Sequence, residues 1–133
     1  MTVYIDTSAF FAILDRDDTN HKKAKERWID LIKNEASLVS TNYVLIESSA
    51  LIQRRLGFEA LHVFQEDILP TVHIEWITEK EHLAGIAALF QASKKSLSLV
   101  DCVSFMVMRT LGVQKVFTFD NHFRDEGFDC SGR

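Results

Sequence analysis

Four short runs rich in β-branched and aromatic residues, at positions 2–5, 37–41, 72–77 and 116–119, are separated by longer stretches in which apolar residues recur at helical spacing. Strands joined by helical crossovers run parallel and carry helices on both faces of their sheet. The alternation therefore predicts an α/β fold, a three-layer α/β/α sandwich with a central parallel sheet. At 133 residues the chain fits a single domain over positions 1–133, long enough for a hydrophobic core without disulfides or structural metal.

The helices follow from the same reading. Asp6-Thr7-Ser8 ends the first strand and caps a short apolar helix over 9–15. After a charged loop, Ala24, Trp28, Leu31 and Ile32 recur at helical spacing with Lys22, Lys23, Lys25 and Arg27 between them, which marks an amphipathic surface helix. Thr41 or Asn42 caps a helix over 43–56 that Gly57 stops. Leu61, Phe64 and Ile68 mark another, ended by Pro70, and Leu83, Ile86, Ala87 and Phe90 give the next one apolar face. From 98 to 111 the chain is apolar nearly all round until Gly112, so this helix is expected to pack on more than one side. Residues 125–133 show no readable pattern.

Composition removes several classes. With 47% hydrophobic and 26% charged residues and Pro70 as the one proline, the chain is not of disordered type. Cys102 and Cys130 lie far apart with no second pair to make a zinc site, and Cys102 reads as a core thiol. The amino end lacks the pattern of a signal peptide, and no apolar run has the length of a membrane helix, so a reducing cytoplasm is the expected compartment and no membrane partner is expected. The net charge of −4 offers no global attraction for nucleic acid, so any such binding must be local.

Four acids stand at element ends. Asp6 follows the first strand and Asp120 the last, at the carboxyl edge where open α/β sheets place their sites; Glu47 and Asp101 lie near the starts of two apolar helices. Brought together, four carboxylates repel one another unless some are protonated or a divalent cation neutralises them. Hard oxygen donors suit Mg²⁺ or Mn²⁺, which activates water and stabilises charge on a phosphodiester. Each acid also has a structural explanation. Ser98-x-x-Asp101 fits an N-terminal capping box, Asp6 a cap, Asp120-Asn121 an Asx turn, and Glu47 a solvated edge position or a stretched pairing with Arg54.

Taken in order, "VYIDTSAFFAILD", "NHKKA", "NYVLIESSALI", "SLVDCVSFMVM" and "VFTFDNHF" resemble the PIN domain family, in particular its VapC-type toxin ribonucleases, and the resemblance covers nearly the whole chain. It implies a metal-dependent endoribonuclease that hydrolyses RNA phosphodiester bonds, the toxin of a toxin-antitoxin pair. Asp6 and Asp101 would be the principal ligands of Mg²⁺ or Mn²⁺, with Glu47 and Asp120 completing the pocket directly or through water. Thr118, with Thr7 or Ser8, would supply hydroxyls to the same network. Many members dimerise and are inhibited by a small antitoxin that occludes the pocket, so a homodimer and such a partner are implied as well.

Other readings remain open at this stage. One is a stand-alone PIN-like RNA-processing nuclease, and another a non-catalytic acidic-pocket binding module. A phosphoacceptor signalling domain is a third, although Asp6 is followed by Thr7 instead of a second acid and Lys115 precedes the last expected strand. The histidines at 21, 62, 73, 82 and 122 have no zinc-like spacing; His122, two residues past Asp120, is placed to reach substrate but is left outside the catalytic set. Lys22, Lys23, Lys25 and Arg27, Arg54-Arg55 and Lys94-Lys95 could contact phosphates, but solvated faces are the preferred reading of each.

Overall fold

A computed structural model describes residues 1–130. Its sheet has four strands in the order β3-β2-β1-β4, with β1 Thr2–Ile5, β2 Ser37–Thr41, β3 Val72–Glu75 and β4 Lys115–Phe117. All neighbours pair parallel, Val3 lying beside Leu38 on one side and Lys115 on the other. Helices flank the sheet, as the alternation predicts: α1 Thr7–Leu14, α2 His21–Lys33, α3 Asn42–Leu56, α4 Phe58–Val63, α5 Glu79–Ala92, α6 Leu99–Leu111 and α7 Asn121–Asp125. Central β1 is covered on both faces, since its consecutive residues Val3, Tyr4 and Ile5 point to opposite sides and are all fully buried.

Strand order decides where a crevice opens. From β1 the chain steps outward through β2 to β3, then returns to place β4 on the opposite side of β1. The direction of winding reverses between β1 and β4, and the carboxyl ends of those two strands border the switch point.

Aromatic contacts tie the helices to this frame. Phe10 of α1 meets Phe64 edge-on at 5.1 Å, and Phe105 of α6 meets Phe123 of α7 at 5.0 Å. Burying each such ring contributes about 2–3 kcal/mol. Helix α6 is enclosed as its apolar circumference predicts, with Cys102, Val103, Phe105, Val107 and Met108 all buried. Gly112 then ends it in the left-handed region, at φ 69°.

Several expected boundaries move for physical reasons. Strand β3 stops at Glu75 instead of 77, because its partner β2 ends at Thr41 opposite Glu75, and Ile77 instead donates its N–H to the Asn42 side chain at 2.8 Å. Strand β4 starts at Lys115 and ends at Phe117, so Thr118 and Phe119 lie beyond it. Helix α1 begins at Thr7, two residues early, because Asp6 itself is the cap. The segment with Leu61, Phe64 and Ile68 is α4 followed by a π-type turn over Phe64–Ile68 and a 3₁₀ turn over Leu69–Thr71 that holds Pro70.

The apolar face expected for α5 is also displaced. Leu83 and Phe90 are exposed, and the inward side carries Gly85 and Leu89. Gly85 sits so close to α6 that a Cβ there would lie 2.7 Å from Val103 Cγ2, so absence of a side chain sets this packing. The tail contributes too. Phe128 is buried, and Asp129 bridges Lys115 in parallel on the outer edge of β4. Residues 131–133 lie outside the described residues.

Candidate active site

Asp6 ends β1 and caps α1, and three donors converge on its Oδ2. Ser8 donates its hydroxyl at 2.9 Å and its backbone N–H at 3.4 Å, while Thr118 Oγ1 donates at 3.0 Å from beyond β4. Each hydroxyl has a single proton. With both protons committed to Asp6, the two hydroxyls accept instead from the backbone, Ser8 from Phe119 N–H at 2.9 Å and Thr118 from Asp120 N–H at 3.0 Å. The ends of β1 and β4 are thereby locked across the switch point, which brings Asp120 to the same cleft as Asp6.

Asp101 sits in the first turn of α6, and the capping box suggested by Ser98-x-x-Asp101 is formed. Ser98 N–H donates to Asp101 Oδ2 at 3.1 Å, and Asp101 N–H donates to Ser98 Oγ at 3.0 Å. Capping and presentation to the cleft therefore coexist. Glu47, on α3, accepts the Thr7 hydroxyl at 2.6 Å, and Ser48 Oγ donates to Thr7 in turn at 3.1 Å. Among the described residues no ion pair joins Glu47 to Arg54. Asp120 caps α7, its Oδ1 accepting the backbone N–H of His122 at 2.9 Å.

These residues line one open cleft of about 520 Å³, walled by Asp6, Thr7, Ser8, Glu47, Asp101 and Asp120, with Arg54 its one cationic lining residue among those described. Thus the cleft draws together all four acids and the hydroxyls of Thr7 and Ser8 singled out in the sequence, while Thr118 is fully buried behind it and reaches Asp6. Asp6 and Asp101 are buried. Burial pushes the Asp6 carboxyl up to about 6, against the lowering effect of the Ser8 and Thr118 hydrogen bonds, and the charge of Asp101 raises it further. Burial likewise raises Asp101, opposed by the Ser98 N–H, with the charge of Asp120 adding to the rise.

Two basic groups stand at the cleft that sequence does not single out for it. Arg54 is one of several candidate phosphate contacts, and only its position on the fourth turn of α3, on the Glu47 side, brings it to the acids. His122, outside the catalytic set expected from sequence, packs its ring against Asp120 and Asp101. Lys115, by contrast, begins β4 opposite Val3, at the end of the strand away from the cleft, so it cannot serve as the lysine of a phosphoacceptor pocket. No helix among the described residues is long and apolar enough to cross a membrane.

The acidic donor set fits a divalent cation. Two buried carboxylates held above their ordinary range, the second of them raised by the charge of Asp120, make a negative site whose basic neighbours among the described residues are Arg54 and the His122 ring.

Comparison with known proteins returns the same arrangement of chain and fold. The PIN domain profile matches residues 3–128. Over 127 residues the chain is 31% identical to the 23S rRNA-specific endonuclease VapC20 of Mycobacterium tuberculosis, in strains CDC 1551 and H37Rv alike, with 95% of each chain covered. The crystal structure of Mycobacterium tuberculosis VapC20, described as a Sarcin-Ricin loop cleaving toxin, superposes with a TM-score of 0.86 at 29% identity, covering 96% of this chain and 97% of that one.

Proposed function

Since the chain belongs to the PIN domain family, we propose that its acidic cleft is the active centre of a metal-dependent endoribonuclease, in one domain, acting in the cytoplasm as the toxin of a toxin-antitoxin pair. The observation that carries this reading is the convergence, at the switch point of the sheet, of carboxylates from four separate elements. A purely structural use of the acids would need only caps, and caps do not require their carboxylates to face one another.

Asp6 and Asp101 are the principal ligands of Mg²⁺ or Mn²⁺ in this account, with Glu47 and Asp120 completing the set directly or through water. Such a cation, when bound, activates water for attack and offsets charge on the phosphodiester. The chain's own residues then have separable tasks. Ser8 and Thr118 hold Asp6 in one orientation, and the Ser98 N–H does the same for Asp101. The Ser48–Thr7–Glu47 relay fixes the Glu47 carboxylate on the facing wall. Arg54 contacts a substrate phosphate, the positioning role that a planar cation in an acidic cleft can perform.

RNA is the substrate, and 23S rRNA, on which VapC20 acts by name, is the first candidate. A small antitoxin that covers the cleft and a second copy of the chain are the expected partners. The test is incubation of purified protein with ribosomal RNA in Mg²⁺, in Mn²⁺ and in EDTA, reading new 5′ ends by primer extension. Discrete cuts in either metal and none in EDTA are expected. Cleavage that persists in EDTA would overturn the metal dependence.

A further inference from the structure

We infer that His122 supplies a nitrogen ligand to the cation of this cleft, so that its donors are mixed oxygen and nitrogen; the inference rests on the proposed metal centre. The Asp120 cap folds the chain back so that the His122 ring lies over the carboxylates. Its Nδ1 is 2.8 Å from Asp120 Oδ1 and 3.8 Å from Asp101 Oδ2.

Nδ1 is buried and has no hydrogen-bond partner, although the ring as a whole is 26% exposed. The short approach to Asp120 is therefore off the axis along which an N–H would donate. A simple imidazolium–carboxylate pair would be expected to align. Nε2, on the other side of the ring, lies 3.2 Å from Ser96 Oγ. In the tautomer that donates Nε2–H to Ser96, Nδ1 turns its lone pair towards the Asp120 and Asp101 carboxylates.

The spacing fits a shared ion. One ligand atom from each of Asp101, Asp120 and His122 falls within 4.8 Å of the others. Two donors that shared one ion through bonds near 2.1 Å would stand no more than about 4.2 Å apart. The observed 2.8 and 3.8 Å both lie within that span. Ser96 then holds the far side of the ring, as outer partners of metal-bound imidazoles commonly do. Mg²⁺ keeps an oxygen shell, whereas Mn²⁺, first in the transition series, takes a nitrogen donor more readily. The histidine thus tilts the cleft towards Mn²⁺.

Pulsed EPR of the Mn²⁺-loaded full chain detects nitrogen nuclei bonded to the metal. A ¹⁴N coupling is expected in the unlabelled protein, replaced by a ¹⁵N coupling on histidine-selective labelling and lost in His122→Ala. Mn²⁺ affinity, measured by titration, should fall at least about tenfold in that variant, the lower end of what even indirect metal contacts are worth, with Mg²⁺ affinity nearly unchanged. If His122→Ala does not fold, His122→Gln takes its place, and the labelled wild type needs no variant. Mn²⁺ bound without histidine coupling, or a coupling that survives the substitution, overturns the inference and leaves the metal centre standing. A wild-type chain that binds no Mn²⁺ overturns both.

Discussion

Asp6→Asn should stabilise the metal-free protein while abolishing its activity. The side chain keeps its shape, and its carbonyl oxygen can still accept from Ser8 and Thr118, but the buried charge is gone. Asp6 is raised from 3.8 to about 6. At ~1.4 kcal/mol for each pKa unit, ionising it in the fold costs ~3 kcal/mol at neutral pH. Between about pH 4 and 6 the folded carboxyl holds a proton that the unfolded one has released. Stability of the metal-free wild type therefore falls as pH rises through that window, and the loss is complete above it. The variant should melt up to roughly 10 °C higher at pH 7 in EDTA, with a flatter slope below. Some slope persists, because Asp101 is also raised by burial. Saturating Mn²⁺ should offset most of that difference in the wild type, since the ion binds only the fold and stabilises it by ~2.7 kcal/mol at a hundred times its Kd. Differential scanning calorimetry across pH 4–8 reads all of this. An Asp6→Asn protein less stable than wild type at pH 7 in EDTA, with the wild-type pH slope intact, would refute the claim that the buried charge of Asp6 strains this cleft.

Arg54→Ala should raise KM for RNA about tenfold with little change in kcat, and should lower the slope of log affinity against log salt by roughly 0.7, the share of one contact to single-stranded phosphate; steady-state kinetics at several ionic strengths checks it. Gly85→Ala should destabilise the fold by about 1–3 kcal/mol, since its methyl would meet the stiff, fully buried Val103 at 2.7 Å. Urea titration measures that loss, and the Mn²⁺ affinity of the folded fraction should be unchanged because α5 does not line the cleft.

Much of this molecule was legible because its informative residues sit at element ends. The switch from β-branched runs to helical spacing marks the strands and crossovers, and a polar residue between the two is a cap whatever else it does. That is why Asp6, Asp101 and Asp120 could be placed before any geometry was known. What the sequence could not show depends on partners remote along the chain. The length of β3 is set by where β2 ends, and the inward face of α5 by a glycine meeting Val103, not by the largest apolar residues. The edge bridge from Asp129 to Lys115 involves no periodic pattern at all. His122 and Arg54 belong to common surface types, and only the turn after Asp120 and the rotation of α3 direct them to the acids. Glu47 lies between these cases. Its place near the start of an apolar helix admitted a solvated edge position as well as a site, and the Thr7 hydroxyl that holds it lies 40 positions away.

Cleavage by Asp101→Asn beside wild type, purified identically and assayed on the same RNA in Mn²⁺, tests the central claim most directly. Asn can still accept the Ser98 N–H, so the α6 cap should survive and the variant should melt no lower than wild type. Loss of cleavage by at least about a hundredfold, or ~3 kcal/mol of transition-state stabilisation, is the predicted result. Cleavage at the wild-type rate would contradict a metal-dependent nuclease centred on these four carboxylates.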